Sequence, residues 1–161
     1  MYATNYFETG ILNSMRGVTL TAPAKLYVGL FLTSPGETGA EGTEVNYSGY
    51  VRKEITFSTP AAESGGIGIQ NLEQITFPTS PDSAGTIKYI GLYDSPTAGN
   101  AWVYGELVEG NTILPGVAPV ILAGEVKYWL TGNMTTYFKT VVLNVLRGQN
   151  IPGVALYHAL Y

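Results

Sequence analysis

Residues 21–39 read TAPAKLYVGLFLTSPGETG, and the apolar run from Lys25 to Thr33 within them decides the fold class. Successive side chains of a β-strand point to opposite faces, and in this run both alternating sets are apolar. Such a strand has to be covered on both faces, which is typical of a strand at the centre of a sandwich. The Ser-Pro-Gly sequence at residues 34–36 predicts the turn that ends it.

Six further segments have the composition of strands and are separated by residues that favour turns. Residues 50–58, YVRKEITFS, alternate apolar and polar side chains, as a strand with one buried face does. The other five are residues 72–79, 85–95, 101–108, 118–124 and 125–131. Residues 42–50, GTEVNYSGY, and residues 61–68, AAESGGIG, are expected to be loops, the first of them exposed. The sequence therefore predicts a mainly β fold, an antiparallel β-sandwich of about seven strands.

A helix is expected before the first strand. Asn5 is the predicted N-cap, and Glu8, three residues further on, would close a capping box with it. Gly17 is placed to end the helix. Three apolar residues recur at helical spacing and predict one buried face: Phe7, Ile11 and Met15.

The end of the chain repeats its beginning. Residues 135–148, TTYFKTVVLNVLRG, match residues 4–17, TNYFETGILNSMRG, at eight of fourteen positions with a constant offset of 131. The strand sequence KLYVGLF then returns as ALYHALY at residues 155–161, after a one-residue deletion. We therefore predict a β-sandwich with an N-terminal helix over residues 1–132, and the start of a second tandem copy, a helix plus one strand, over residues 133–161.

Two explanations of this second copy remain open. A lone apolar strand leaves its backbone groups unpaired and its side chains in water. Either the polypeptide continues into a second full domain, or the strand is added to the sheet edge of a neighbouring subunit. The residues expected at an interface are Phe7, Ile11, Met15, Tyr137, Phe138, Leu156, Tyr157 and Leu160.

Composition and charge exclude several classes of protein. Charged residues make up 12% of the chain, about half of the usual ~25%, which indicates that part of the surface contacts other protein. The net charge is −4 and the chain has no Lys/Arg cluster, so nucleic acid is not an expected partner. The absence of Cys excludes disulfides and thiol chemistry. No apolar stretch approaches the roughly eighteen residues of a membrane span.

No group of residues has the pattern of a catalytic or metal site. The only histidine, His158, lies in an apolar stretch without a nucleophile or an orienting acid beside it. Asp82 and Asp94 lie in predicted turns, where aspartate usually hydrogen-bonds its own backbone. An enzymatic activity, a cofactor and a bound metal are therefore not expected.

Several strand and turn motifs resemble those of a family of bacteriophage tail fibre proteins. They are LYVGLF followed by a PGE turn, GY-R--ITF, ITFP and GLYD, all within about residues 10–110. The resemblance implies a small β-sandwich with a structural role in the virion of a tailed phage, as a tail fibre or fibre-anchoring module. It also implies a homotrimer, partners among the tail, baseplate or capsid proteins, and assembly in the host cytoplasm.

Two other functions remain open alongside this one. A head fibre or capsid decoration protein would use the same fold to bind the capsid. A carbohydrate-binding module for receptor recognition would bind a cell-surface glycan through a concave cluster of aromatic and polar side chains. The candidates for such a cluster are Trp102, Tyr104 and Tyr128.

Overall fold

A computed structural model describes residues 1–63 and 65–153, and it has the predicted mainly β fold with antiparallel sheets and an N-terminal helix. Ten strands and two helices are formed by these residues. The strands are β1 (Tyr2–Ala3), β2 (Leu26–Phe31), β3 (Lys53–Ile55), β4 (Ala61–Glu63), β5 (Gly66–Gln70), β6 (Ile75–Thr76), β7 (Gly85–Tyr93), β8 (Ala101–Ile113), β9 (Val120–Ile121) and β10 (Lys127–Leu130). The helices are α1 (Asn5–Ser14) and α2 (Thr136–Val145).

The larger layer is a five-stranded antiparallel sheet with the strand order β1-β8-β7-β2-β3. As its sequence requires, β2 lies inside this sheet, and five of its six residues are buried. One face of β2 joins the main core through Val28 and Leu30. On the other face, Phe31 stacks on Tyr93 with ring centroids 6.0 Å apart. This strand is therefore covered from both sides.

Two glycines make room for the stacked rings of Phe31 and Tyr93. Gly29 lies opposite Gly91 in the pairing of β2 with β7. A Cβ on Gly29 would lie 3.1 Å from the ring of Phe31, and one on Gly91 would lie 2.8 Å from the ring of Tyr93. Glycine is favoured here because these rings, and the Glu44 carboxylate 2.8 Å from the Cβ position of Gly29, occupy the space of the missing side chains.

Two smaller antiparallel sheets, with the orders β10-β5-β4 and β6-β9, contribute to the same core. Residues 61–68 were predicted to be a loop, and that prediction is wrong, because they form β4 and the start of β5. Gly66 and Gly68 allow the close approach of neighbouring strands. A Cβ on Gly66 would clash with the carbonyl oxygen of Leu130 on β10.

Residues 42–50 form a loop, as predicted, but the loop is not exposed throughout. Val45 and Tyr47 are buried in the core, and the segment runs beside β2. Two hydrogen bonds hold it there, from the Leu32 N–H to the Thr43 carbonyl at 2.8 Å and from the Val45 N–H to the Leu30 carbonyl at 2.9 Å.

Helix α1 packs on β8 and begins one residue earlier than predicted. Its N-cap is Thr4 rather than Asn5, and the Thr4 hydroxyl accepts from the Phe7 N–H at 3.4 Å. Thr4 is preferred because it is fully buried, and its hydroxyl also donates to the Ala101 carbonyl of β8 at 2.5 Å. The helix is thus fixed to the sheet at its N-cap.

Helix α2 packs against β5, and its buried residues belong to the same core as those of α1. The buried apolar residues of α2 and the turn after it are Val142, Leu143, Val145 and Leu146. Neither α1 nor α2, the helices of the described residues, is long and apolar enough to cross a membrane.

Candidate interaction surfaces

The two helices have the same length and the same N-terminal cap at positions 131 residues apart. Thr135 caps α2 as Thr4 caps α1, and its hydroxyl accepts from the Phe138 N–H at 3.2 Å. Helix α1 spans Asn5–Ser14 and α2 spans Thr136–Val145, so both ends of the two helices correspond at this offset. The shared Thr-x-x-Phe sequence accounts for the equivalent starts.

The ends of the two helices also use the same hydrogen bonds. The Asn13 carbonyl accepts from the N–H groups of Arg16 and Val18, and the Asn144 carbonyl accepts from the equivalent N–H groups of Arg147 and Gln149. Each arginine also donates to the side chain of its asparagine, at 3.4 Å in the first helix and 2.7 Å in the second. The glycines that follow, residues 17 and 148, have φ angles of 90° and 84°, which side chains disfavour.

Beyond the helices the two segments pair with each other. Leu20 and Ile151 form an antiparallel bridge in which each N–H donates to the carbonyl of the other, at 2.9 and 3.0 Å. On either side, the Ala22 N–H donates to the Asn150 side chain at 2.8 Å, and the Gly153 N–H donates to the Thr19 hydroxyl at 3.3 Å. We call residues 19–22 with residues 150–153 the junction.

The junction has a local twofold arrangement. Leu20 and Ile151 are 131 positions apart, and so are Thr19 and Asn150, and Ala22 and Gly153. Every hydrogen bond given by one segment is therefore returned by the equivalent residue of the other. This reciprocity is the pattern of an isologous interface between two copies of one unit.

Equivalent residues of the two helices are nevertheless covered to different extents. Phe7 is fully buried against Trp102, with ring centroids 5.3 Å apart, whereas its equivalent Phe138 is partly exposed. The reverse holds five residues further on. Leu12 is 61% exposed, whereas its equivalent Leu143 is fully buried. The covered faces of the two helices therefore overlap, since Ser14 and its equivalent Val145 are both buried, but they differ at these two positions.

The ion pair between Arg52 and Glu44 holds together the loops around β2. The guanidinium of Arg52 donates two hydrogen bonds to the carboxylate of Glu44, at 2.8 and 2.7 Å, and one to the Ala98 carbonyl at 2.7 Å. It lies over the ring of Tyr93 at 3.5 Å from the centroid. Burial raises the pKa of Tyr93 to about 12, although the neighbouring Arg52 opposes the shift. The pattern of residues 42–50 did not reveal this pair, because Glu44 was assigned to a solvated loop.

Comparison with known protein families shows which family the sandwich belongs to. A family model described as Podophage GP4 fiber I protein gp80 matches residues 2–128. The chain belongs to this podophage fibre family. No curated protein matches the chain. Membership of the podophage fibre family gives the protein a structural role as a fibre component of a phage particle, which is consistent with the expectation that it is not an enzyme.

The podophage fibre region begins at β1 and ends within β10, so α2 and the second half of the junction follow it. Among the residues predicted at an interface, Phe7 lies in the core of this region, and Ile11 and Met15 are partly buried on it. On α2, Tyr137 is 79% exposed and Phe138 is partly exposed. The remaining three lie outside the described residues: Leu156, Tyr157 and Leu160.

The aromatic cluster proposed for carbohydrate binding is not a surface of the podophage fibre fold. Trp102 and Tyr128 are buried, with exposed fractions of 1% and 5%. Tyr104 is the only one of the three that reaches the surface, where it lies 5.5 Å from the ring of Tyr2. These three residues therefore do not converge on a glycan.

An apolar groove of about 410 Å³ lies between β7, β8 and the segment around β9, and sequence reasoning missed it. Its floor includes the buried residues Ile87, Ile90 and Val126. Exposed apolar side chains continue from its rim along β8, the loop that follows it, β9 and the residue after β9. They are Val108, Leu114, Val117, Val120 and Leu122. The available signal was the low charge of residues 110–124, which contain no Lys, Arg, Asp or Glu.

The acidic residues of the described chain do not form a metal centre. Nowhere in residues 1–63 and 65–153 do three His, Cys, Asp or Glu side chains gather as metal ligands. Asp94 closes its own turn, because its carboxylate accepts from the Asn100 N–H at 2.8 Å and from the Asn100 side chain at 2.9 Å. His158 lies outside the described residues.

Proposed function

We propose that this protein is a tail fibre or fibre-anchoring module of a podophage particle, and that it functions as a homotrimer. The family match over residues 2–128 supports the fibre role. The module would act by rigid display, because the three sheets and both helices contribute to one continuous core. A domain built in this way has few places at which it can bend.

The exposed apolar surface beside the groove supports the homotrimer. Val108 is fully exposed, Leu114 is 54% exposed and Leu122 is 52% exposed. Apolar side chains gathered on one surface are a common mark of a protein–protein contact. The low proportion of charged residues, 12%, is in keeping with a chain that contacts other protein over much of its surface.

Light scattering on the purified chain tests the trimer. We expect a mass three times that of one chain, and we expect Val108→Asp combined with Leu122→Asp to reduce it to one chain. Val51→Asp is the matched control, because Val51 is 47% exposed but does not border the groove. A wild-type chain that stays monomeric at high concentration, with no threefold contact in the particle, contradicts the trimer.

The location on the particle distinguishes a tail fibre from a head fibre or decoration protein. A map of the intact particle is the experiment. We expect density for this sandwich on the tail or baseplate. Density on the capsid surface would instead favour the head fibre alternative, which uses the same fold.

We also propose that residues 133–161 begin a second tandem copy. The equivalent caps of α1 and α2 and the reciprocal bonds of the junction support this. The mass of the chain extracted from particles is the test. We expect a mass well above 17.2 kDa, since a second sandwich would follow, and a value near 17.2 kDa contradicts continuation.

A further inference from the structure

Helix α2 covers a strip of the sandwich beside β5 and Phe57. We propose that this strip is a docking site for α1 of a second copy of this chain. In that arrangement two sandwiches join about a twofold axis, and each contributes its own α1 to the other. The proposal rests on the junction and on the burial of the two helices, and does not depend on the fibre role.

The residues with which α2 holds the strip are repeated in α1. Leu143 and Arg147 contact it here, and α1 has the same residues at the equivalent positions, Leu12 and Arg16. Leu143 is fully buried, and the Arg147 guanidinium donates to the Phe57 carbonyl at 3.4 Å. The neighbouring side chains are similar in size, with Ile11 for Val142 and Met15 for Leu146. Two other buried residues of α2, Lys139 and Val145, correspond to Glu8 and Ser14, so the likeness is confined to the four positions named above.

These residues of α1 have no such contact within the described chain. Leu12 is 61% exposed, and Arg16 is exposed and hydrogen-bonds only within its own helix end. A leucine that is exposed on one helix and fully buried at the equivalent position of the other indicates a face that a second sandwich would cover. The surface that buries Leu143 is the strip beside β5 and Phe57. The same strip on a second sandwich is therefore the surface expected to cover Leu12.

The junction supplies the symmetry of the docked state. Leu20 pairs with its equivalent Ile151 through two mutual hydrogen bonds. With α1 of a second copy in place of α2, Leu20 of one chain would pair with Leu20 of the other in the same geometry. Two bonds that are already reciprocal within one chain become the centre of a true twofold interface.

Within one chain α2 competes for the strip, and it has the advantage of being tethered. A short tether corresponds to an effective concentration in the millimolar range. Docking of a second copy is therefore expected only when α2 is weakened or when copies are crowded together. This competition gives the proposal its test.

The experiment uses the full chain and compares Leu143→Asp with the double variant Leu12→Asp, Leu143→Asp. The first change removes α2 from the strip, and we expect light scattering to give twice the mass of the wild-type assembly, whatever that assembly is. The double variant also spoils the incoming α1, and we expect its mass to return to the wild-type value. Leu12→Asp alone is the control and should leave the mass unchanged.

A folded Leu143→Asp variant with the wild-type mass overturns the proposal, and so does a doubled mass that persists in the double variant. If Leu143→Asp is unfolded when dilute, the proposal requires its melting temperature to rise with protein concentration. That rise must be absent from the double variant, and a melting temperature independent of concentration overturns the proposal. The Val108 and Leu122 variants test the trimer separately, so the two ideas can fail independently.

Discussion

Leu20 and Ile151 donate a backbone hydrogen bond to each other, and they occupy equivalent positions in two segments of similar sequence. A bridge between residues 131 positions apart closes the fold, because it joins the segment after α1 to the segment after α2. The two helices that precede these residues are covered to different extents, and substitutions in each helix should therefore differ in their cost.

Phe7→Ala should destabilise the protein strongly. Phe7 is fully buried against Trp102, and we expect its truncation to cost about 3–5 kcal/mol. Urea unfolding followed by tryptophan fluorescence measures this loss. Leu12→Ala on the same helix is the control and should change the free energy of unfolding by less than about 0.5 kcal/mol. A loss of under about 1 kcal/mol for Phe7→Ala would mean that α1 is not packed as described.

Leu143→Ala should be far more costly than Leu12→Ala, although the two leucines are equivalent in sequence. Leu143 is fully buried and Leu12 is 61% exposed. We expect a loss of about 2–5 kcal/mol for Leu143→Ala. Equal effects of the two substitutions on the urea midpoint would show that α2 is not held on the sandwich.

Arg52→Lys should be destabilising even though the positive charge is kept. Lysine cannot reproduce the two-pronged bond to Glu44 together with the bond to the Ala98 carbonyl. We expect a loss of about 1–3 kcal/mol in thermal or urea unfolding, since bonds to charged groups in a mostly buried site are being removed.

The control for this prediction is Lys25→Met. Lys25 and Glu54 are also 2.7 Å apart, but both side chains are about half exposed. Water and salt screen such a pair, so we expect no measurable change in stability. A larger effect at Lys25 than at Arg52 would contradict the argument from burial.

Stability should fall steeply in alkaline solution. Burial raises the pKa of Tyr93 and of Tyr128 to about 12, and it also raises the pKa of Tyr50. The folded chain then keeps protons that the unfolded chain releases at its ordinary tyrosine pKa of about 10. The free energy of unfolding is therefore unaffected by these groups below about pH 10. It decreases between about pH 10 and 12, by up to about 1.4 kcal/mol per pH unit for each tyrosine.

Urea unfolding at a series of pH values, with tyrosinate absorbance recorded in parallel, checks this dependence. The Tyr128→Phe variant should have a shallower decrease than the wild type, because one of the titrating groups is gone. An identical slope in the two proteins would mean that Tyr128 does not contribute to it.

The sequence predicted the central strand and both helices well, because their apolar patterns are long and strong. The run from Lys25 to Thr33 allowed only a strand covered on both faces, and β2 is such a strand. Short or glycine-rich segments were predicted poorly. Residues 61–68 were predicted to be a loop, but Gly66 lies in β5 and lets the backbone of β10 approach closely.

The surfaces were harder to predict than the strands. Exposure of Leu12 and burial of Leu143 follow from the packing of whole elements, and the two leucines have nearly the same local sequence. The assignment of Trp102 and Tyr128 to a binding surface failed for the same reason. Aromatic residues in strands point to either face, and only the register of the sheets decides which face is covered.

The covering of β2 on both faces has a consequence for amide hydrogen exchange. Its N–H groups are bonded to β3, to β7 and, at Leu30, to the Tyr50 hydroxyl at 2.8 Å. We therefore expect their exchange with deuterium to require the entire fold to open, so that its rate reports the global free energy of unfolding. The three residues of β4 are all exposed, so their amides exchange through local fraying on a much faster timescale.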